Sequence, residues 1–282
     1  MKDVGLMVQK ADGTIEPFSP SKLKRSLNRA GASPMVIQEI TEHIQNTCRD
    51  GATTSDIYRE AFKRLRESER GVAARYSLKR AVLDLGPTGF PFEDFIAAIY
   101  RGNGYQVATR QTVKGRCASH ELDVVAHKGD EHICAELKFH NSPGMKSDLK
   151  VALYVAARYQ DLDQNEKLNG GQKFTDKLLI TNTKFTSQAS KYGSCVGMTM
   201  VSWSHPSKGN LQDLIEASGL HPVTCLTTLS KAQKTRLLSS GHVLCRSLLK
   251  NPGALTEAGV HGKKLDQLVV EIGDLCQART PR

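Results

Sequence analysis

Residues 120–140 read HELDVVAHKGDEHICAELKFH. Two β-prone runs, Glu121–His127 and His132–Phe139, flank the turn Lys128-Gly129-Asp130, which predicts an antiparallel hairpin. On a strand, residues two apart share a face. Glu136 and Lys138 then point the same way, with Leu137 and Phe139 directed into the opposite layer. The hairpin brings Asp123 near Glu136, so two carboxylates converge beside one ammonium group. Hard divalent cations such as Mg²⁺ take one or two carboxylates together with substrate phosphate. A bound metal generates hydroxide, and a metal or lysine offsets the charge that develops at phosphorus. Lys138 in such a site orients the attacking water or steadies the phosphate. E-x-K alone would give an ordinary surface salt bridge, so the flanking segments carry the argument.

Those segments read as an α/β unit. Pro91–Arg101 is helical and ends at Gly102–Gly104. Tyr105–Thr112 is a third strand beside the hairpin. Asp148–Arg158 is an apolar-faced helix, and Leu178–Thr181 and Met198–Ser202 are short strands separated by a helix over Ser187–Tyr192. Strands mixed with helices in this way predict a mixed sheet.

With those elements placed, the spacing D-x(12)-E-x-K resembles the PD-(D/E)xK nuclease superfamily. More closely, Phe92-Glu93-Asp94-Phe95, Gly104-Tyr105, His120-Glu121-Leu122-Asp123-Val124 and Glu136-Leu137-Lys138-Phe139-His140 are similar to Mrr-like restriction endonucleases. Thr181-Asn182 and Phe185-Thr186-Ser187-Gln188-Ala189 look like the later core of that family. The superfamily's usual proline-aspartate pair is here Leu122-Asp123. The resemblance covers about residues 90–205 and implies that Asp123 and Glu136 bind Mg²⁺ or Mn²⁺. It also implies that Glu93, on the preceding helix, helps to bind metal. His120 and His140 are accessory candidates for contacting phosphate or tuning a carboxylate, against simple structural roles. Tyr192 and Gln188 are candidates for a supporting shell.

The N-terminal segment is a different unit. Val4–Gln9 and Thr14–Phe18 flank the hairpin turn Asp12-Gly13, and Ser19-Pro20-Ser21 opens a helix through Leu23 and Leu27 to Gly31. Helices over Met35–Arg49, from Thr53-Thr54-Ser55-Asp56, and over Val72–Leu85 follow. Lysines around a hairpin and a helix start suit phosphate. The text V-x-K-x-D-G-x-x-x-x-F, then K-L and Thr53-Thr54-Ser55-Asp56-Ile57, resembles the ATP-cone domain, a regulatory ATP/dATP-binding module. By that resemblance Lys10, Glu16, Lys22 and Thr54 meet the nucleotide, and Val8 and Leu23 frame the base. Ala11 replaces the basic residue usual after Lys10, and Tyr58 stands where a histidine is common. Arg75 and Lys79 share one helical face and Tyr76 and Arg80 another. Lys79 is a further candidate for a nucleotide phosphate.

Beyond His205-Pro206 the apolar residues recur at helical spacing, from Leu211 to Val269, which predicts a small all-helical unit. Gly259-Val260-His261-Gly262-Lys263-Lys264 is reminiscent of a helix-hairpin-helix turn, with Lys263 and Lys264 as candidate DNA contacts. A packing role is the alternative.

Composition agrees with three folded units. The 282 residues are 39% hydrophobic and 24% charged, which excludes disorder as the main state. The net charge is +10 and the isoelectric point about 9.3, which favours polyanionic partners. Residues 1–86 hold 15 basic and 11 acidic side chains (+4), 87–205 hold 14 and 12 (+2), and 206–282 hold 10 and 6 (+4). Seven cysteines without a C-x-x-C pair argue against a disulfide scaffold or a zinc cluster. Met1–Gly13 lacks the apolar core of a signal peptide, and no run is long enough to span a membrane. A cytoplasmic chain is expected.

The expected fold is therefore α/β multidomain. It comprises an α-rich ATP-cone over 1–86, a restriction-endonuclease-like mixed sheet over 87–205 and a helical unit over 206–282. The expected function is a nucleotide-regulated, Mg²⁺-dependent endodeoxyribonuclease acting on double-stranded DNA in restriction of foreign DNA, with ATP or dATP as regulatory ligand. The resemblance also implies a homodimer or homotetramer. A nucleotide-sensing DNA-binding regulator with an inactive nuclease core is the alternative, and a repair or junction-resolving nuclease another.

Overall fold

The structure is a computed structural model that describes residues 6–276. Val4 and Gly5, the start of the first expected strand, lie outside the described residues. The chain begins with a small sheet in the order β2-β1-β3, formed by β1 (Met7–Gln9), β2 (Ile15–Pro17) and β3 (Ala52–Thr53). Around it pack α1 (Pro20–Ala30), α2 (Pro34–Thr47), α3 (Thr54–Ser68) and α4 (Arg70–Tyr76), followed by α5 (Leu78–Leu83). Local chemistry sets the helix ends. Ser19 caps α1 by accepting from the Lys22 N–H, with Pro20 at its first position. Thr53 and Asp56 form a reciprocal capping box at α3. Leu23, Leu27, Ile40, Ile44, Ile57, Ala61 and Leu65 close a core belonging to this unit alone.

The helix expected over Val72–Leu85 is broken at Ser77. Its hydroxyl donates to the Ala74 carbonyl at 2.7 Å, a local bond that competes with helix continuation. Arg75 donates to the Ala30 carbonyl at 2.9 Å, whereas Lys79 lies on the far side of the break.

The central unit is α6 (Phe90–Gly102), β4 (Gln106–Lys114), β5 (Ser119–Lys128), β6 (Glu131–Lys138), β7 (Lys146–Ser147), α7 (Leu149–Asn169), β8 (Asp176–Thr181), β9 (Lys184–Phe185), α8 (Ser187–Cys195) and β10 (Thr199–Val201). Its five-stranded sheet runs β10-β8-β6-β5-β4, antiparallel through β4, β5 and β6 and parallel from β6 to β8 and β10. Helices cover both faces. Ile133, Ala135 and Leu137 pack toward α6, and Cys134 packs toward α7.

The C-terminal helices are α9 (Leu211–Ser218), α10 (Lys231–Ser239), α11 (Cys245–Lys250), α12 (Gly253–Glu257) and α13 (Lys263–Cys276), with a 3₁₀ turn at Val223–Cys225. Their apolar residues do not close a core of their own. Leu211, Ile215, Val223, Leu248, Leu268 and Leu275 join Phe92, Phe95 and Ile96 of α6 and the adjoining sheet face in one continuous cluster. Arg29 of α1 also reaches Asp213 at 2.5 Å and Glu216 at 3.0 Å, tying the first unit to the last. Among the described residues no helix is long and apolar enough to cross a membrane.

Candidate functional site

The β5–β6 ladder runs from Lys128↔Glu131 to Val124↔Ala135 and stops there. Next along β5 comes Asp123, whose Oδ2 accepts the Leu137 N–H at 2.6 Å, between Glu136 and Lys138. Both β4 and β5 turn over at this level. Arg110 adopts φ +53°, the left-handed region that costs a non-glycine residue free energy. The β4–β5 pairing passes from Thr109↔Val124 to Gln111↔Leu122, leaving Arg110 opposite Asp123. On one side of this step Val124 and Ala126 pack toward α6; on the other, Leu122 packs toward α7. Strict alternation would put all three on one face. The turnover leaves Asp123 at the bend.

Glu136 is 3% exposed and accepts from two cations. Lys138 Nζ donates to its Oε1 at 2.6 Å, and Arg158 Nη1 donates to its Oε2. Arg158 also donates to the Glu121 carbonyl at 2.9 Å and to the Tyr154 hydroxyl, while among the described residues its Nε has no hydrogen-bond partner. Asp123 is raised to about 6, first by burial and then by the nearby Glu136 charge, with Glu93 adding to the effect. Glu93 therefore belongs to the same electrostatic neighbourhood. Its carboxylate accepts from Arg110 at 2.9 Å, and Arg110 also holds Asp94 at 3.0 Å.

Arg158 is the participant the sequence reading missed. The helix expected to end at Arg158 continues to Asn169. Its inward stripe runs Ala152, Val155, Tyr159 and Leu162, and Arg158 stands three residues after Val155. A cation at a core-facing position of an apolar stripe was the available signal.

The other candidates separate. His140 shares the end of β6 with Lys138. Its backbone is clasped by the buried Asn182 side chain, which accepts the His140 N–H at 2.8 Å and donates to its carbonyl at 2.7 Å. Its ring bonds Ser147 at 3.0 Å, and burial, then the Lys138 charge, lowers its basicity. His120 bonds Asp161 of α7 at 2.8 Å. Asp161 also accepts the Cys117 and Ala118 N–H groups, so this cluster fastens the β4–β5 turn to α7. Tyr192 packs in the apolar cluster on the α7 side, and Gln188 is exposed.

On the N-terminal unit, Glu16 bridges Lys10 at 2.6 Å and Lys22 at 3.1 Å. These bonds, the one from Lys10 foremost, hold its carboxyl below the usual range. Thr54 is exposed at the first turn of α3. Val8 and Leu23, expected to frame a base, are 3% and 6% exposed and belong to the unit's core. Tyr58 stacks on Tyr76 with ring centres 5.3 Å apart and lies under the Arg80 guanidinium at 3.9 Å.

At the C-terminal turn the expectation for the two lysines divides. Lys263 is exposed, but Lys264 donates to Gln233 Oε1 at 2.7 Å. The turn itself is packed on α10, since Gln233 donates to the Gly259 carbonyl at 2.8 Å and Arg236 to that of Ala258 at 3.2 Å.

The N-terminal fold and its lysine–glutamate cluster define a nucleotide-binding regulatory module joined to an α/β sheet unit. Residues 6–84 match the ATP cone domain, and residues 221–276 match the C-terminal domain described as AF1548-like. A protein of Archaeoglobus fulgidus described as uncharacterized is 34% identical over 177 residues, which span 62% of this chain and 97% of that protein. A crystal structure of AF1548, a protein of unknown function, is 33% identical with a TM-score of 0.53. That match covers 67% of this chain and 98% of the other. The chain belongs to the AF1548-like family.

Proposed function

We propose that the chain is a nucleotide-regulated endodeoxyribonuclease of the Mrr-like type that depends on a divalent metal ion. The observation that carries this reading is the juxtaposition of Asp123 and Glu136 at a strand bend, with Lys138 on the Glu136 face. Asp123 is a hard oxygen donor; burial first, and the Glu136 charge second, raises its proton affinity, and the second of these is a repulsion that a cation would relieve. Glu136 offers the second carboxylate once Arg158 yields Oε2. A divalent ion bound there supplies Lewis acidity toward water and the scissile phosphate. Lys138 keeps its ammonium beside the reacting phosphate and offsets charge there. Arg110 fixes Glu93 at the edge of the site. The chain's positive net charge supports a DNA substrate. Cutting both strands calls for two sites, hence a dimer or tetramer. Restriction of foreign DNA is the role that suits this chemistry.

Incubating duplex plasmid with Mg²⁺ or Mn²⁺, with and without ATP or dATP, tests the reading. Asp123→Ala and Lys138→Ala should each abolish cleavage, and equal cleavage by wild type and both variants would refute the assignment. A second reading, a nucleotide-sensing DNA-binding regulator, has its own support. Both Glu136 oxygens are occupied by cationic side chains. Among the described residues, no three His, Cys, Asp or Glu side chains gather into a metal-holding group. Binding of duplex DNA without cleavage under every nucleotide and metal condition would select it.

A further inference from the structure

The two cations on Glu136 are not equivalent. Lys138 lies two residues on along β6, so the strand itself keeps its ammonium beside the carboxylate. Arg158 comes from α7, 22 residues further along the chain, and lays its guanidinium on Oε2. Its other contacts do not involve that carboxylate. Nη1 also reaches the Glu121 carbonyl, Nη2 donates to the Tyr154 hydroxyl, and the guanidinium carbon lies 4.8 Å from the centre of the Tyr154 ring. Tyr154 stands one helical turn earlier on α7 and is 55% exposed, whereas the Arg158 side chain is 12% exposed. These contacts therefore lead from the buried carboxylate toward the surface. Among the described residues the buried Arg158 Nε has no hydrogen-bond partner, so the seat on Glu136 leaves part of the guanidinium unused. A guanidinium and a divalent ion seek the same carboxylate lone pairs and repel each other, so they exclude one another from Oε2.

We infer that Arg158 is an internal stand-in for the divalent cation: seated on Glu136 Oε2 it holds the metal site closed, and the ion enters as the guanidinium withdraws along Tyr154 toward the surface. This rests on the metal-dependent reading of Asp123 and Glu136 and names the device that regulates it. With Lys138 and Arg158 in place, the charges of Asp123 and Glu136 are balanced one for one. Exchanging the guanidinium for a divalent ion adds one positive charge, which makes the same spot attractive to a phosphate. The apparent metal affinity is then the intrinsic affinity reduced by the fraction of molecules whose arginine is off Glu136. Removing the guanidinium lifts that reduction.

Titration of the full chain with Mn²⁺ alone, followed by loss of the free ion's paramagnetic resonance signal, reads occupancy without any reaction. Arg158→Met should bind Mn²⁺ about tenfold more tightly than wild type, because one charge-assisted contact no longer competes. Arg158→Gln, which keeps the position polar and so guards against poor folding of the methionine variant, should behave alike, and Arg158→Lys should fall between. Asp123→Ala should abolish binding in every background. Tight binding by the neutral variants with none by wild type would be the same result in its extreme form. Equal affinity in wild type and both neutral variants, with Asp123→Ala still abolishing binding, would overturn the inference and leave the metal site standing. Weaker binding by both neutral variants would make Arg158 a positioning residue for Glu136 and also overturn it. Absence of Mn²⁺ binding by wild type and all three variants, or binding indifferent to Asp123→Ala, would remove the metal reading and the inference together.

Discussion

Arg158 and Lys138 hold opposite oxygens of the same buried carboxylate, Glu136, from two different elements of the fold. Breaking a buried ion pair by removing one partner costs about 3–5 kcal/mol. Because Lys138 remains, Arg158→Met should fall below that range, at about 2 kcal/mol. Urea unfolding of the variant against wild type measures it. Arg158→Lys should recover only part, since an ammonium cannot serve Glu136, the Glu121 carbonyl and Tyr154 in one plane. An unchanged midpoint in Arg158→Met would show that the contact contributes nothing.

Asp123 gives stability a pH dependence of unusual sign for a carboxylate. Its folded value near 6 lies above the ordinary 3.8, so the folded state binds the extra proton between those values. Its contribution is favourable at low pH and is lost as pH rises from about 4 to 6. Asp123→Asn should therefore be more stable than wild type at pH 7, by about 1–2 kcal/mol after discounting for solvent screening. That advantage should vanish below pH 4. Melting temperatures of the two proteins across pH 4–8 decide the matter.

His221 has the opposite slope. It is 3% exposed, and burial foremost lowers it to about 4 from 6.5, against the opposing pull of the Gly219 and Leu275 backbone. A depressed value means that its stabilising contribution is present above pH 6.5 and is lost as pH falls toward 4, up to about 3 kcal/mol in all. His221→Phe should flatten the acid limb of the stability profile. A variant whose acid limb is superimposable on that of wild type would refute this.

Gly144 tests the junction between the units by steric means. A side chain there must displace the Ala11 carbonyl or its own loop. Gly144→Val should cost about 1–3 kcal/mol, the usual range for overpacking. It should also raise amide exchange in the β1–β2 hairpin while leaving the core amides of α1 to α3 protected. Protection unchanged in the hairpin would mean that the contact is loose in solution.

Much of the architecture was legible in residues 120–140, because period-2 alternation is local and the turn at Gly129 is marked by its residue types. Glu136 and Lys138 on one face of β6 followed from that spacing. The turnover at Asp123 did not, since it depends on a left-handed arginine, and nothing in the identity of Arg110 announces that conformation. Arg158 was hidden by ending its helix too early, where polar residues dilute the stripe beyond Tyr159. The two-residue β3 was too short to show a period. The packing of the C-terminal helices onto α6 was illegible for another reason: helical spacing shows that a face is apolar, not what will cover it.

The shared core also sets an order of events during synthesis. The N-terminal unit closes on residues between Val8 and Ala73, so its apolar surface is complete once α4 has emerged. The α6 face of the sheet has no such early closure, because its cover includes Leu268, Ile272 and Leu275. From the emergence of Phe92 until α13 arrives, the nascent chain carries an exposed apolar sheet face. A chain stalled or cut near residue 205 would present that face permanently and become a client for chaperones or aggregation.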